Sequence, residues 1–152
     1  MLTFIKEQLI DIAENLEMGM RVFYNKKTGA ILQIPGRDMY LVEMEEEEEE
    51  LENNFDDYNE VMAMESRDSF AIMEDFAEQL SDKNPLKHRL FSALSRNKPF
   101  ARFKQELDHS GEFRKEWFTF KLARQVEWVE RQIKMNQDYE RRLQKEYGEQ
   151  EE

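Results

Sequence analysis

Met20-Arg21-Val22-Phe23-Tyr24-Asn25, then Lys26-Lys27-Thr28-Gly29, then Ala30-Ile31-Leu32-Gln33-Ile34, is the stretch that decides the fold. Met20, Val22 and Tyr24 alternate with Arg21, Phe23 and Asn25, the two-residue period of a strand. Residues 25–29 form a turn in which Gly29 is free to take the left-handed conformation that closes such loops. Residues 30–34 supply the return strand, and Pro35-Gly36 stops it. A lone hairpin is marginal in water, so a third strand is expected. Val61-Met62-Ala63-Met64-Glu65 is the first candidate and Met39-Tyr40-Leu41-Val42 the second.

Outward from the hairpin the apolar period changes to that of a helix. Upstream, Phe4/Ile5, Leu9, Ile12/Ala13 and Leu16 recur in steps of three and four, with Thr3 as the expected N-cap and Gly19 as the stop. Downstream, Ser66 is the expected N-cap of a helix carrying Phe70, Met73, Phe76/Ala77 and Leu80, with Asp68 at its positive end. Asn84-Pro85 separates a second helix with Leu86, Leu90/Phe91 and Leu94. Asn97-Lys98-Pro99 separates a third with Phe100, Phe103 and Leu107, and His109-Ser110-Gly111 ends it. A fourth runs from Glu112 to about Tyr147 through Phe113, Trp117, Phe120, Leu122, Val126, Val129 and Ile133.

The expected fold class is therefore α+β: a small antiparallel sheet of about three strands with an N-terminal helix and a C-terminal helical set. The expected division is one domain over residues 1–135, with an acidic segment at 43–58, and a charged helical tail over 136–152. In that tail Tyr139, Leu143 and Tyr147 interrupt the charge at four-residue spacing, so the end either projects or packs on a partner.

Composition limits the chemistry. A length of 152 residues is one domain's worth. Eleven Phe and nine Met are enough to build a core, although 37% of the residues are charged. With no cysteine there is no disulfide, thiolate nucleophile or sulfur-ligated metal. The N-terminus meets charge within six residues, and no segment approaches the ~18–20 apolar residues of a membrane span. A cytoplasmic protein with no membrane association is expected.

The net charge of −12 is unevenly spread. Residues 38–82 hold eighteen acids and one base, whereas 83–124 hold eleven bases and four acids. Such asymmetry can steer partners, but two differently charged surfaces of one monomer are the simpler expectation. The six glutamates Glu45 to Glu50 are expected as a solvated loop or a short helix ending near Leu51, since Glu favours helix despite self-repulsion.

His88 and His109 have no ligand spacing, the serines lack a glycine elbow, and the five glycines do not cluster into a phosphate loop. Asp56, Asp57, Glu60, Glu74 and Asp75 could give oxygen ligands to Mg²⁺ or Ca²⁺, but without calcium-loop spacing. No catalytic residue, cofactor or metal ligand is therefore expected. The distinctive stretch is Arg96-Asn97-Lys98-Pro99-Phe100-Ala101-Arg102-Phe103-Lys104. Bases interleaved with rings can grip phosphates while the rings stack on bases. The three-residue step from Phe100 to Phe103 equally suits core anchors of a helix, the preferred reading. Trp117 and Trp128, three turns apart, also read first as core residues. Together Arg96, Lys98, Phe100, Arg102, Phe103, Lys104, Trp117 and Trp128 are the candidate interaction surface.

Several of these segments carry a resemblance. Val22-Phe23-Tyr24-Asn25-Lys26-Lys27-Thr28-Gly29, Ser69-Phe70-Ala71-Ile72-Met73-Glu74-Asp75-Phe76, Pro99-Phe100-Ala101-Arg102-Phe103-Lys104, and Trp117-Phe118-Thr119-Phe120 with Val126-Glu127-Trp128 fall in matching order. Over roughly residues 5–133 the chain resembles the bacterial uncharacterised protein family 0158. The family's central motif usually carries glycine ahead of the Phe, where this chain reads Ser95-Arg96-Asn97-Lys98-Pro99. The resemblance implies a cytosolic bacterial protein and the α+β architecture, with no particular activity.

The leading expectation is a non-enzymatic protein-binding or regulatory module, because no catalytic constellation is present and the charges are segregated. The alternative is a nucleic-acid-binding protein using the basic 83–124 region. A carboxylate-dependent hydrolase ranks third.

Overall fold

Asn25 sets the hairpin turn in the computed structural model, which describes residues 2–36 and 44–148. Its Oδ1 accepts from the backbone N–H of Lys27 at 2.9 Å and of Thr28 at 3.1 Å, a side-chain turn that residues of this kind favour. Gly29, at φ 77°, then donates to the Asn25 carbonyl at 2.9 Å. The strands so joined are β1 (Arg21–Asn25) and β2 (Ile31–Ile34).

The chain divides into two compact units, Met1–Ala63 with Gln125–Glu152, and Met64–Arg124. The first is built on the hairpin. Its third strand, β3 (Tyr58–Val61), pairs antiparallel with β1, giving the order β2-β1-β3. Phe23 stands opposite Leu32 on one side and Glu60 on the other. As the central strand β1 buries Val22, Phe23 and Tyr24 in succession, so the expected half-buried alternation gives way to a strand covered on both faces. On one face Phe23 clusters with Ile34 of β2 and with Leu51 of helix α2 (Glu45–Asn53). Helix α1 (Lys6–Glu17) packs against β1, and the ring of Phe4 meets that of Tyr24 edge-on at 5.5 Å.

Two expected boundaries in this unit are corrected. The third strand is not residues 61–65: only Val61 is shared. Its other positions are polar: Tyr58 bonds Glu50 outside the sheet, and the other two bond β1. Asn59 donates to the Tyr24 hydroxyl at 3.3 Å, and Glu60 receives Arg21 at 2.8 and 3.1 Å. Paired polar groups hold a strand without an apolar pattern to announce it. The second candidate, residues 39–42, lies outside the described residues. The N-cap of α1 is Ile5 rather than Thr3, its N–H taken by the Gln8 side chain at 3.0 Å. The helix ends as expected at Gly19 (φ 95°), where Gly19 and Met20 donate back to Leu16 and Asn15 at 3.1 and 3.0 Å.

The second unit is helical. Helix α3 (Ser66–Gln79) has Glu65, not Ser66, as its N-cap, because Asp68 reaches back to the Glu65 N–H at 3.0 Å. Asn84 caps α4 (Pro85–Leu94) by accepting from Leu86 N–H at 3.0 Å, with proline at the first helical position. Helix α5 (Pro99–Asp108) follows Lys98, a non-glycine residue at φ 51°. Helix α6 (Phe113–Gly148) adds Phe113, Trp117 and Phe120. Phe76 is the hub of the core, edge-on to Trp117 at 5.3 Å, Phe120 at 5.4 Å and Phe103 at 6.5 Å. Leu86, Leu90, Leu94 and Leu107 fill the space around these rings.

Beyond Arg124 the same unbroken helix belongs to the first unit. There Trp128 donates to the Met62 carbonyl at 2.8 Å, Asn136 to that of Glu60 at 3.2 Å and Gln137 to that of Leu2 at 2.9 Å. Residues of the expected tail are thus helical through Gly148 and bonded to their own unit. The protein is α+β, with a three-stranded antiparallel sheet and, among the described residues, six α-helices. None of them is long and apolar enough to cross a membrane.

Candidate functional site

The glutamate run forms the helix α2, whose single buried side chain is Leu51. Glutamates in the first turn favour the positive helix end, and Leu51 docked on Phe23 and Ile34 supplies the tertiary anchor that a nine-residue helix needs. Glu50 is tied down by Asn54 at 3.1 Å and by the Tyr58 hydroxyl at 3.2 Å. Burial, then the Glu50 carboxylate, push the Tyr58 phenol above its ordinary value despite an opposing hydrogen bond from Asn25, so it remains a donor at neutral pH. Glu45, Glu46, Glu48, Glu49 and Glu52 are exposed, and no cation among the described residues pairs with them.

The side chains of the basic and aromatic stretch have unlike surroundings within their own units. Phe103 is 1% exposed and stacks edge-on with Trp117 at 5.0 Å, so both rings are structural members of the second unit's core. Phe100 is 44% exposed, its inner edge against Phe70 at 6.5 Å. Arg102 turns back on Asn97, donating to its backbone carbonyl at 2.8 Å and its side-chain oxygen at 3.0 Å. Arg96, Lys98 and Lys104 are exposed. Trp128 lies in the first unit with its indole N–H on Met62.

Neighbouring bases of the second unit are engaged by acids: Arg89 by Glu106 at 3.5 Å, Arg114 by Asp108 at 3.3 Å and Arg124 by Asp75 at 2.8 Å. Of the carboxylates weighed as cation ligands, Glu60 is committed to Arg21 and Asp75 to Arg124. Among the described residues no three acids or histidines gather as a metal site. His109 directs Nδ1 at the Gln105 carbonyl, 2.7 Å away, a helix-end contact.

One concave feature was not anticipated. In the first unit a cavity of about 380 Å³ opens beside Tyr24. The Tyr24 hydroxyl receives Asn59, Lys26 pairs with Glu140 at 3.1 Å, and Gln137 holds Leu2, so the walls are fixed by their own bonds. A signal for it was present: Gln137, Glu140, Arg141 and Gln144 recur at helical spacing, one face of long polar side chains.

A small sheet with α1 before it and a helical set after it, bearing an acidic helix, defines the class: an α+β protein. Within that class the chain belongs to the Uncharacterised protein family (UPF0158), whose model matches residues 1–146. No curated protein and no solved structure matches it.

Proposed function

We propose that the chain is a non-enzymatic, cytoplasmic protein-binding module, and that α2 is its contact element, receiving a lysine- or arginine-rich segment of a partner protein. The observation that carries this is the ridge of Glu45, Glu46, Glu48, Glu49 and Glu52, exposed and without paired cations among the described residues. Like charges three and four apart on a helix each cost roughly 0.2–0.5 kcal/mol, so α2 is held against its own repulsion by Leu51. A basic partner relieves that repulsion and gains electrostatic steering.

The test compares the full chain with a variant carrying Glu45→Gln, Glu46→Gln, Glu48→Gln and Glu49→Gln, each immobilised against native lysate. Proteins captured by the parent, absent with the variant and released by 0.5 M salt are the expected result. Capture of the same proteins by both chains, or of nothing above background, overturns the proposal.

A second reading, nucleic-acid binding, draws on Arg96, Lys98 and Lys104 beside the half-exposed Phe100. It has fewer groups to draw on than the sequence suggested, since Phe103 and Trp117 sit in the core and Arg102 is bonded to Asn97. A low-salt gel shift that Lys98→Gln and Lys104→Gln abolish would favour it over the acidic-helix reading.

A further inference from the structure

Val129 and Ile133 turn one side of α6 into the first unit, and the other side carries large side chains that the unit leaves exposed. At about 100° per residue, Arg131, Lys134, Arg142 and Lys145 fall within an arc of about 80°, with Met135 and Tyr139 beside them. All four bases are exposed, and no acid among the described residues pairs with them. Asp138, the acid inside this arc, is paired with Arg141 at 3.6 Å, and Glu130 and Glu146 flank the arc on either side. Met135 is 64% exposed and Tyr139 60%. An apolar pair framed by charge has the make-up of a contact patch, an apolar centre with a polar rim.

The complement of this face is present in the same sequence. Glu45, Glu48, Glu49 and Glu52 fall within an arc of about 100° on α2, exposed and without paired cations among the described residues. Phe55, just beyond α2 and 64% exposed, adds an apolar group to that surface. The lengths agree: at about 1.5 Å per residue, Glu45 to Glu52 spans about 10 Å and Lys134 to Arg142 about 12 Å. Since none of these acids pairs with any of these bases in the folded chain, the charges are matched by a second molecule.

We infer that α6 of one copy receives α2 of a second copy and that α2 is received in return, closing a two-fold dimer. The inference rests on the reading of α2 as a contact element and names its basic partner segment as residues 131–145 of another copy. One pair of short helices is small beside the roughly 800 Å² per partner of a stable interface, so the contact is used twice. Reciprocal use across a two-fold axis stops the assembly at two copies, where one-way use would build open chains. Opposite charges steer the encounter and set the register, while Met135, Tyr139 and Phe55 supply the apolar area.

The experiment is sedimentation equilibrium of the full chain in low salt, with two charge-reversed variants. One carries Glu45→Lys, Glu48→Lys, Glu49→Lys and Glu52→Lys, and the other Arg131→Glu, Lys134→Glu, Arg142→Glu and Lys145→Glu. The parent should pass from monomer to dimer with rising concentration and return to monomer in high salt. Each variant alone should dimerise at least about tenfold more weakly, because like charges then face each other. Mixed in equal amounts, the two should recover the dimer, since both contacts regain opposite charges, and this recovery also shows that both chains are folded. A parent that stays monomeric, or grows past two copies, overturns the inference. So does a dimer that either variant leaves intact, or a mixture that stays monomeric. Each of these failures leaves the capture of other proteins by α2 to the lysate comparison, which decides that reading separately.

Discussion

Gly36 lies against the backbone carbonyl of Gly19 so closely that a Cβ built on Gly36 would fall on the Gly19 oxygen. The obstacle is backbone, not the end of a flexible side chain, so the chain has to shift to admit it. Gly36→Ala is therefore expected to destabilise the protein by about 1–3 kcal/mol. Gly148→Ala, where nothing lies within 4 Å, should be close to neutral. Urea denaturation of both variants checks the contrast.

Lys98 sits at φ 51° just before Pro99, a conformation that costs a side-chain-bearing residue roughly 1–2 kcal/mol. Lys98→Gly should raise stability by up to about 1 kcal/mol, the reverse of the usual effect of introducing glycine. Lys98→Val should lower it. Thermal melting of the three chains measures both signs.

The rings of the basic stretch are unequal. Phe103→Ala removes a side chain meeting Phe76 and Trp117 and should cost about 3–5 kcal/mol. Phe100→Ala should cost about 1 kcal/mol, since it touches Phe70 with one edge and faces solvent with the other. Equal costs in chemical denaturation would contradict the core placement of Phe103.

Asp82 and Lys87 form an ion pair at 2.7 Å. The hydrogen bond from Lys87, then its charge, lower the Asp82 carboxyl below its ordinary value, and the reciprocal bond raises Lys87. The pair's contribution is present from above the ordinary carboxylate range up to the lysine range. It fades as pH falls through the lowered Asp82 value, and again as pH rises through the raised Lys87 value. Carboxyl titration by NMR should find Asp82 below its ordinary value in the parent and back at it in Lys87→Met.

The hairpin was legible because Asn25 and Gly29 act within one turn, using only local hydrogen bonds. The helices of the second unit were legible from apolar spacing, and their first residues slipped by one or two where Asp68 and Gln8 bond backward. Strand β3 was not legible, because Asn59 and Glu60 are matched to Tyr24 and Arg21, partners more than thirty residues away. The cavity was hidden for the same reason, since Tyr24, Asn59 and Gln137 meet only after folding. The basic stretch was visible as a pattern, but whether Phe103 faces a ligand or a core depends on Phe76 and Trp117, which the pattern does not contain.

The acidic helix also lies in the connection that has to close before β3 can reach β1. The hairpin forms over a short turn, on a timescale of microseconds, but Tyr58 reaches Asn25 only after a long loop closes around six mutually repelling glutamates. In the unfolded chain that repulsion swells the loop and lowers the frequency with which its ends meet. Salt shortens the range of the repulsion from about 10 Å at 0.1 M to about 3 Å at 1 M. The docking of the third strand thereby becomes the ionic-strength-dependent step of folding, and refolding in stopped flow should quicken with added sodium chloride.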